Sequence, residues 1–110
     1  IELDITDNEC VKEVLLEVNP QIVIHTAAMT QVDDCEFEKE MCVRLNIDCV
    51  EHLAKLSSDL GFRLIHLSTD FIFDGTKPMY TEEDLANPLS YYGWSKLEAE
   101  KKVIKFSNNF

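Results

Sequence analysis

The sequence predicts an α/β fold: a doubly wound parallel sheet with helices on both of its faces. Two short and nearly continuous apolar runs, 21–25 and 63–67, are typical of parallel strands that are covered on both sides. Segments with helical periodicity lie between these runs and after the second one. Strands that alternate with helices are joined by right-handed crossovers, and therefore we expect the strands to be parallel.

The first third of the chain predicts the end of one strand, a helix and a second strand. Residues 1–3 have the character of a strand end, and Asp4 follows at its carboxyl end. A capping-box pattern at 6–9 precedes apolar residues at helical spacing, and the pair Asn19 and Pro20 ends this helix. The strand at 21–25 then leads into small residues at 26–30, where the flat face of a ligand could approach the backbone.

The middle of the chain predicts one long helix from Asp34 to Leu60, which Gly61 ends. Three of the four cysteines, Cys35, Cys42 and Cys49, recur every seven residues within it. On a continuous helix this spacing places neighbours about 10 Å apart along the axis, too far to share a disulfide or a metal ion. We therefore interpret these cysteines as small apolar residues on a buried stripe, in a reducing cytoplasm.

The last third predicts a strand, a loop and a helix. The strand at 63–67 ends at the triplet 68–70, Phe71 to Phe73 continue extended, and a turn and loop follow as far as Ala86. Asn87 and Pro88 fit an N-cap followed by proline at the first helical position, which starts a helix that runs to about Lys105.

Charge and hydropathy exclude two classes of partner. The 110 residues contain 21 acidic and 10 basic side chains, a formal net charge of −11, so phosphate backbones and anionic lipid are repelled. The longest apolar runs fall far short of a bilayer span. We expect neither a nucleic acid nor a membrane as partner, and because the chain opens on Ile1 without an initiator methionine, we expect it to be an internal segment of a larger domain.

Tyr92 and Lys96 are the strongest candidates for catalysis. Their i, i+4 spacing places a phenol and an ammonium one turn apart on the same helix face. A neighbouring cation favours the phenolate and lowers the pKa of the tyrosine, which makes it a usable proton donor near neutral pH. A hydroxyl from Ser68 or Thr69 could bind the oxygen whose charge changes. A half-buried tyrosine beside a solvated lysine is the alternative interpretation of this spacing.

Five blocks of sequence resemble a known family along essentially the whole chain. They are Leu-Asp-Ile-Thr-Asp at 3–7, His-Thr-Ala-Ala at 25–28, Val-Asp-Asp-Cys-Glu at 32–36, Ser-Thr-Asp-Phe-Ile-Phe-Asp-Gly at 68–75 and Tyr-Gly-Trp-Ser-Lys at 92–96. Together they resemble the extended short-chain dehydrogenase/reductases, and most closely the dTDP-4-dehydrorhamnose reductase group. The resemblance implies a partial Rossmann-type sheet that binds NADPH or NADH and reduces a 4-keto-6-deoxy nucleotide sugar, in the pathway to dTDP-rhamnose.

The resemblance also implies roles for particular residues. Tyr92 would donate the proton, Lys96 would hold the nicotinamide ribose, and Thr69 would bind the substrate oxygen, with Ser68 as second choice for that hydroxyl. Asp70 would lie on the sugar. The cofactor-binding positions would be Asp4 and Ile5 beside the adenine, and Ala27, Ala28, Met29 and Thr30 along the ribose and pyrophosphate. No residue is assigned to a metal.

Two parts of the family pattern, its glycine-rich loop and its carboxy-terminal substrate region, are not among residues 1–110. We therefore expect the segment alone to be inactive. Phe71 occupies the position where the related 4,6-dehydratases carry a glutamate, which favours reduction over elimination. A non-catalytic, dinucleotide-binding regulatory subunit like that of methionine adenosyltransferase, or another nucleotide-sugar reductase or epimerase, is the alternative. A homodimer is compatible with the resemblance.

Three further polar residues lie in apolar surroundings. His25 and His66 alternate with apolar neighbours, and we interpret them as core histidines whose ring nitrogens are satisfied, in preference to a catalytic role. Asn46 interrupts the apolar character of the long helix. It resembles the family's helical asparagine, which supports the strand below it, and a buried asparagine capped by backbone is an equal alternative.

Overall fold

The computed structural model describes residues 2–110, which form a two-stranded sheet and the helices that pack against it. In chain order the elements are helix α1 (Asn8–Val18), strand β1 (Ile22–His25), helices α2 (Val32–Phe37) and α3 (Lys39–Val43), a π-helical turn (Arg44–Asp48), helix α4 (Cys49–Leu60), strand β2 (Arg63–His66), a 3-10 turn (Asp70–Ile72) and helix α5 (Tyr91–Phe106).

The two strands are parallel, and Ile22 is paired with Arg63 at one end and His25 with His66 at the other. The α/β class with a parallel sheet is confirmed. Of the strand end expected at 1–3, Glu2 and Leu3 do not form part of a strand, and Ile1 lies outside the described residues. Both strands end at the same edge of the sheet, so the segments that follow them, 26–30 and 67–70, start side by side.

The core lies between α1, α4 and α5 and one face of the sheet. Its buried residues are Val11, Leu15, Val50, Leu53, Ala54, Leu56, Phe62, Leu64, Ala99 and Val103. The other face of the sheet carries Ile22, Ile24 and Ile65, which are 55, 63 and 39% exposed. In this chain the helices therefore pack on one face of the sheet and leave apolar side chains on the other.

The single helix expected from Asp34 to Leu60 is wrong, because the structure divides it. Glu38 has φ −113° and ψ 57°, outside the helical region, and separates α2 from α3. The π-helical turn then joins α3 to α4. Gly61, at φ 80°, caps the end of α4 as the sequence predicts.

Helices α1 and α5 both start later than the sequence predicts, since the predicted starts are the capping box that begins at Thr6 for α1 and Asn87 for α5. The N-cap of α1 is Asp7, whose carboxylate accepts a hydrogen bond from the backbone N–H of Cys10. The N-cap of α5 is Ser90, whose hydroxyl accepts from Gly93, so the start predicted at Asn87 is three residues too early. Asn87 does not cap the helix because its backbone N–H donates to Ile72 and its side chain donates to Asp74.

All four cysteines are free thiols, and Cys35, Cys42 and Cys49 are buried. The premise of a 10 Å separation does not hold for Cys35 and Cys42, since their thiols are close enough to interact across the break at Glu38. Burial, together with the nearby Cys42 thiol, raises the pKa of Cys35 to about 12. Among residues 2–110 no helix is both long and apolar enough to cross a membrane.

Candidate active site

The start of helix α5 is fixed by two side chains. Within the helix, the Ser90 hydroxyl accepts a hydrogen bond of 3.0 Å from the N–H of Gly93. From α2, the carboxylate of Glu36 accepts a 2.8 Å hydrogen bond from the N–H of Tyr91. A carboxylate at a helix N-terminus is stabilised by the helix dipole. Glu36 thus holds α5 to α2 one residue before the candidate proton donor, Tyr92.

Tyr92 and Lys96 lie one turn apart on α5, as the spacing predicts. The Tyr92 ring is half-buried and packs edge-on against Phe71, with 5.9 Å between ring centroids. Lys96 is only 4% exposed, and its Nζ donates a 2.6 Å hydrogen bond to the carbonyl of Leu67. Lys96 is therefore a buried cation at the end of β2, which excludes the alternative of a solvated surface lysine.

Two opposing effects act on the pKa of Lys96. Burial lowers the pKa of Lys96, and the negative charge of Glu100 opposes that shift. An ammonium carries three donors, so two remain after the bond to Leu67.

The segment after β2 brings Ser68, Thr69 and Asp70 to the edge of the sheet. The Ser68 hydroxyl donates to the Glu100 carboxylate on α5. The Thr69 hydroxyl accepts a 3.2 Å hydrogen bond from the N–H of Phe71, which caps the 3-10 turn. The expectation that 71–73 continue as extended chain is wrong at this turn, since Asp70–Ile72 are helical.

Two clefts open beside this segment. One, of about 520 Å³, is lined by Asp70, Phe71 and residues of the loop that follows. The other, of about 560 Å³, is lined by Ser68, Thr69, Asp70 and Glu100 together with loop residues. Asp70 lines both clefts together with the stacked rings of Phe73 and Tyr80, so these three residues lie between them. A small organic ligand would meet Asp70 in either cleft and Thr69 in the second one.

Asp74 organises the loop that borders both clefts. Its carboxylate accepts hydrogen bonds from the backbone and hydroxyl of Thr76, from the Tyr80 hydroxyl and from the Asn87 amide. These bonds, those from Thr76 first, hold the pKa of Asp74 well below its usual range. The loop is further closed by an ion pair between Lys77 and Asp84.

Gly93 allows α5 to approach the 3-10 turn closely. A Cβ atom at this position would lie 2.2 Å from the carbonyl oxygen of Phe71 and 3.1 Å from the Cβ of Pro88. Any side chain would therefore push apart the helix that carries Tyr92 and the segment that carries Thr69. Nothing in the local sequence pattern marks this glycine, because the clash is with a residue 22 positions away in the printed sequence.

Asn46 connects the segment after β1 to α5. Its side-chain oxygen accepts from the N–H of Met29 at 2.7 Å, and its amide donates to the Met29 carbonyl at 3.0 Å and to the Ser95 hydroxyl at 2.9 Å. The Ser95 hydroxyl in turn donates to the carbonyl of Tyr92. Asn46 is 1% exposed, so these bonds are made in the interior. The structure supports both interpretations of Asn46. Its side chain is buried and bonded to backbone, and the same bonds fix the segment after β1.

The remaining candidate cofactor residues lie on two segments. Ala27, Ala28, Met29 and Thr30 follow β1, and the backbone of Met29 is held by Asn46. The Asp4 carboxylate accepts from the backbone and hydroxyl of Thr6, which lowers its pKa. The Ile5 carbonyl accepts from the Cys49 thiol at 3.1 Å, so Ile5 lies beside the start of α4.

His25 and His66 differ from expectation in their hydrogen bonding. Their rings stack with 5.7 Å between centroids, yet Nε2 of His25 and both ring nitrogens of His66 have no partner among the described residues. Burial, with the positive charge of Lys96, lowers the pKa of both, that of His66 to about 4. Within residues 2–110 no group of three or more His, Cys, Asp or Glu side chains is placed to hold a metal ion.

The fold and the arrangement of these residues place the chain among the extended short-chain dehydrogenase/reductases, the class that the sequence motifs resemble. More narrowly, the chain belongs to the RmlD substrate binding domain family, because the model of that family matches residues 1–110.

Three similar proteins illustrate the range of the family. A dTDP-4-dehydrorhamnose reductase of Sinorhizobium fredii is 41% identical over 107 residues, 96% of this chain and 36% of that protein. Methionine adenosyltransferase 2 subunit beta of Bos taurus is 38% identical over 104 residues, 94% of this chain and 31% of that protein. The crystal structure of dTDP-4-dehydrorhamnose reductase from Bacillus anthracis in complex with NADP is 36% identical and has a TM-score of 0.93, over 97% of this chain and 38% of that one.

This chain therefore spans about a third of the length of the relatives it matches.

Proposed function

We propose that the intact protein reduces a 4-keto-6-deoxy nucleotide sugar with NADPH or NADH, as a dTDP-4-dehydrorhamnose reductase does. The observation that carries this proposal is the buried Lys96 one turn from Tyr92, at the strand end that presents Thr69. A lysine with a purely structural role would not be expected to bury its ammonium at this strand end, one helical turn from a tyrosine.

The residues of this chain would divide the work of the reaction among them. When bound, the nicotinamide supplies a hydride to the carbonyl carbon of the sugar. Tyr92 gives its phenolic proton to the carbonyl oxygen, and Lys96 stabilises the phenolate that remains. Thr69 donates a hydrogen bond to the same oxygen, and Asp70 binds a sugar hydroxyl.

The segment after β1 suits a dinucleotide. Small side chains at Ala27 and Ala28 leave the backbone accessible, and Asn46 holds the adjoining Met29 backbone in place. We propose that residues 1–110 form an internal segment of one NAD(P)-binding Rossmann domain, in which other parts of the protein supply the glycine-rich loop and close over the sugar. The coverage of about a third of each relative supports this arrangement.

A second candidate function is a regulatory subunit that binds dinucleotide without turnover. It is supported by the 38% identity to methionine adenosyltransferase 2 subunit beta. Under either function we expect a cytoplasmic protein, because buried free thiols suit a reducing compartment. A homodimer is compatible with the resemblance to the reductases.

The test is NAD(P)H oxidation by the intact gene product with dTDP-4-dehydrorhamnose, in the wild type and in Tyr92→Phe. We expect the substitution to lower kcat by about 100-fold or more, since it removes a general acid and leaves the ring packing. Tyr91→Phe is the matched control, because it removes a neighbouring phenol from the same helix turn. Dinucleotide binding without oxidation in the wild type would reject the reductase, and binding to a methionine adenosyltransferase catalytic subunit would then test the alternative.

A further inference from the structure

Two side chains of α5 hold the end of β2 at successive residues. The Lys96 ammonium donates to the carbonyl of Leu67 at 2.6 Å, and the Glu100 carboxylate accepts from the hydroxyl of Ser68. Lys96 and Glu100 are four residues apart and therefore lie on one face of the helix. The residue that follows this double attachment is Thr69, so the attachment sets where the Thr69 hydroxyl is presented.

The bond to Glu100 also decides between the two candidate hydroxyls. A serine hydroxyl has one proton, and that of Ser68 is donated to the carboxylate. The Thr69 hydroxyl accepts from the N–H of Phe71, and its contact with the Asp70 carboxylate is long, at 3.4 Å. Its proton is therefore readily given to a ligand in the cleft that Thr69 lines.

Glu100 is also the source of negative charge that acts on Lys96. The titratable groups that interact with Lys96 are His25 on β1, His66 on β2 and Glu100 on α5. Tyr92 lies one turn before Lys96 on the same face of α5. Burial favours the neutral form of both histidines. Among these groups, Glu100 is therefore the one whose charge favours the protonated form of Lys96. A half-buried carboxylate one turn away thus compensates part of the cost of burying the ammonium.

We propose that Glu100 is a positioning residue for the reduction: its carboxylate fixes Ser68 so that Thr69 presents the hydroxyl, and its negative charge stabilises the Lys96 ammonium one turn away on the same helix face. This inference rests on the proposed function for its kinetic part, while its electrostatic part concerns dinucleotide binding alone.

The first experiment measures the Kd of NADPH against pH for the intact protein and for Glu100→Gln. Glutamine keeps an acceptor for Ser68 and removes the charge. Without that charge Lys96 loses its proton at lower pH, so we expect the alkaline weakening of NADPH binding to set in at lower pH than in the wild type. Glu98→Gln is the matched control, because it removes a carboxylate from the same helix that pairs with the exposed Lys101.

The second experiment measures kcat for Ser68→Ala, which removes the hydrogen bond and leaves the charge of Glu100. We expect kcat to fall by about tenfold, because Thr69 is held less precisely, while the pH dependence of NADPH binding stays that of the wild type. Thermal melts of each variant establish that it is folded.

The outcomes separate this proposal from the proposed function. A Glu100→Gln profile that coincides with the wild type, or a larger shift in Glu98→Gln, would overturn the electrostatic role. Unchanged kcat in Ser68→Ala would overturn the positioning role. Absence of NADPH oxidation in the wild type would reject the reductase, yet the binding profiles would still report whether Glu100 controls the charge of Lys96.

Discussion

Replacing Gly93 with alanine has two opposing effects on the free energy of unfolding. Glycine in a helix is less favourable than alanine by about 1 kcal/mol, so propensity alone predicts that Gly93→Ala stabilises the protein. The structure predicts the opposite, because the new Cβ would lie 2.2 Å from the carbonyl oxygen of Phe71. An ordinary contact between carbon and oxygen needs about 3.3 Å, so helix and turn must separate by about 1 Å.

The magnitude follows from this displacement. Overpacking a close-packed contact costs about 1–3 kcal/mol, and the propensity gain of about 1 kcal/mol offsets part of it. We expect the free energy of unfolding to fall by up to about 2 kcal/mol. The displacement also separates Tyr92 from Thr69, and a misplacement of about 1 Å can lower kcat by about 100-fold.

The assay pairs urea unfolding with NADPH oxidation by the intact gene product. Gly61→Ala is the control, since Gly61 has φ 80° with nothing within 4 Å of an added Cβ. That change should cost about 1 kcal/mol through backbone strain and leave kcat unchanged. If Gly93→Ala proves as stable as the wild type and retains its kcat, the close approach of α5 to the turn is not a constraint and the reasoning fails.

Two further predictions concern buried polar groups. Asn46→Ala leaves the N–H and carbonyl of Met29 without the Asn46 side chain and removes the bond that Asn46 donates to Ser95. We expect it to lower the unfolding free energy by about 2–4 kcal/mol, with exposed Asn108→Ala as control. A loss below about 1 kcal/mol by urea titration would contradict this. Burial lowers the pKa of His66 from 6.5 to about 4, so the unfolded chain binds the proton more readily and stability is lost as pH falls through that window. His66→Phe should flatten this loss, and a slope equal to that of the wild type would refute the assignment.

The strands and the tyrosine–lysine pair could be predicted from sequence because both depend on local spacing. An apolar run of four or five residues between turn signals marks a buried strand, and β1 and β2 fall within the runs at 21–25 and 63–67. Likewise, i, i+4 spacing places Tyr92 and Lys96 on one helix face whatever surrounds them.

The helix boundaries were harder because neighbouring residues compete for the same role. Asn87 and Ser90 are both good N-cap residues. Ser90 caps α5 because the Asn87 side chain donates its hydrogen bond to Asp74 instead. The break at Glu38 is invisible to periodicity, since apolar residues continue on both sides of it.

The supporting residues of the site could not be found from spacing at all. Glu36 bonds to a residue 55 positions away, Asn46 to one 49 away, and Ser68 to one 32 away. These pairs meet only because parallel strands end at one edge of the sheet and α5 crosses beneath that edge. They follow from the tertiary arrangement, and a single sequence carries no local signal for them.

The π-helical turn makes chain length itself a structural requirement. Arg44–Asp48 contain one residue more than an α-helical turn would need. The sequence positions that face the core after the turn are therefore shifted by one residue from those that a continuous α-helix would predict. Deleting one residue there would restore a regular α-helical turn and move Asn46 away from the Met29 backbone that it binds. Val50 and Leu53 would keep their places in the core, because the turn alone had absorbed the extra residue. In this part of the chain, the number of residues is as strict a determinant of the fold as their identity.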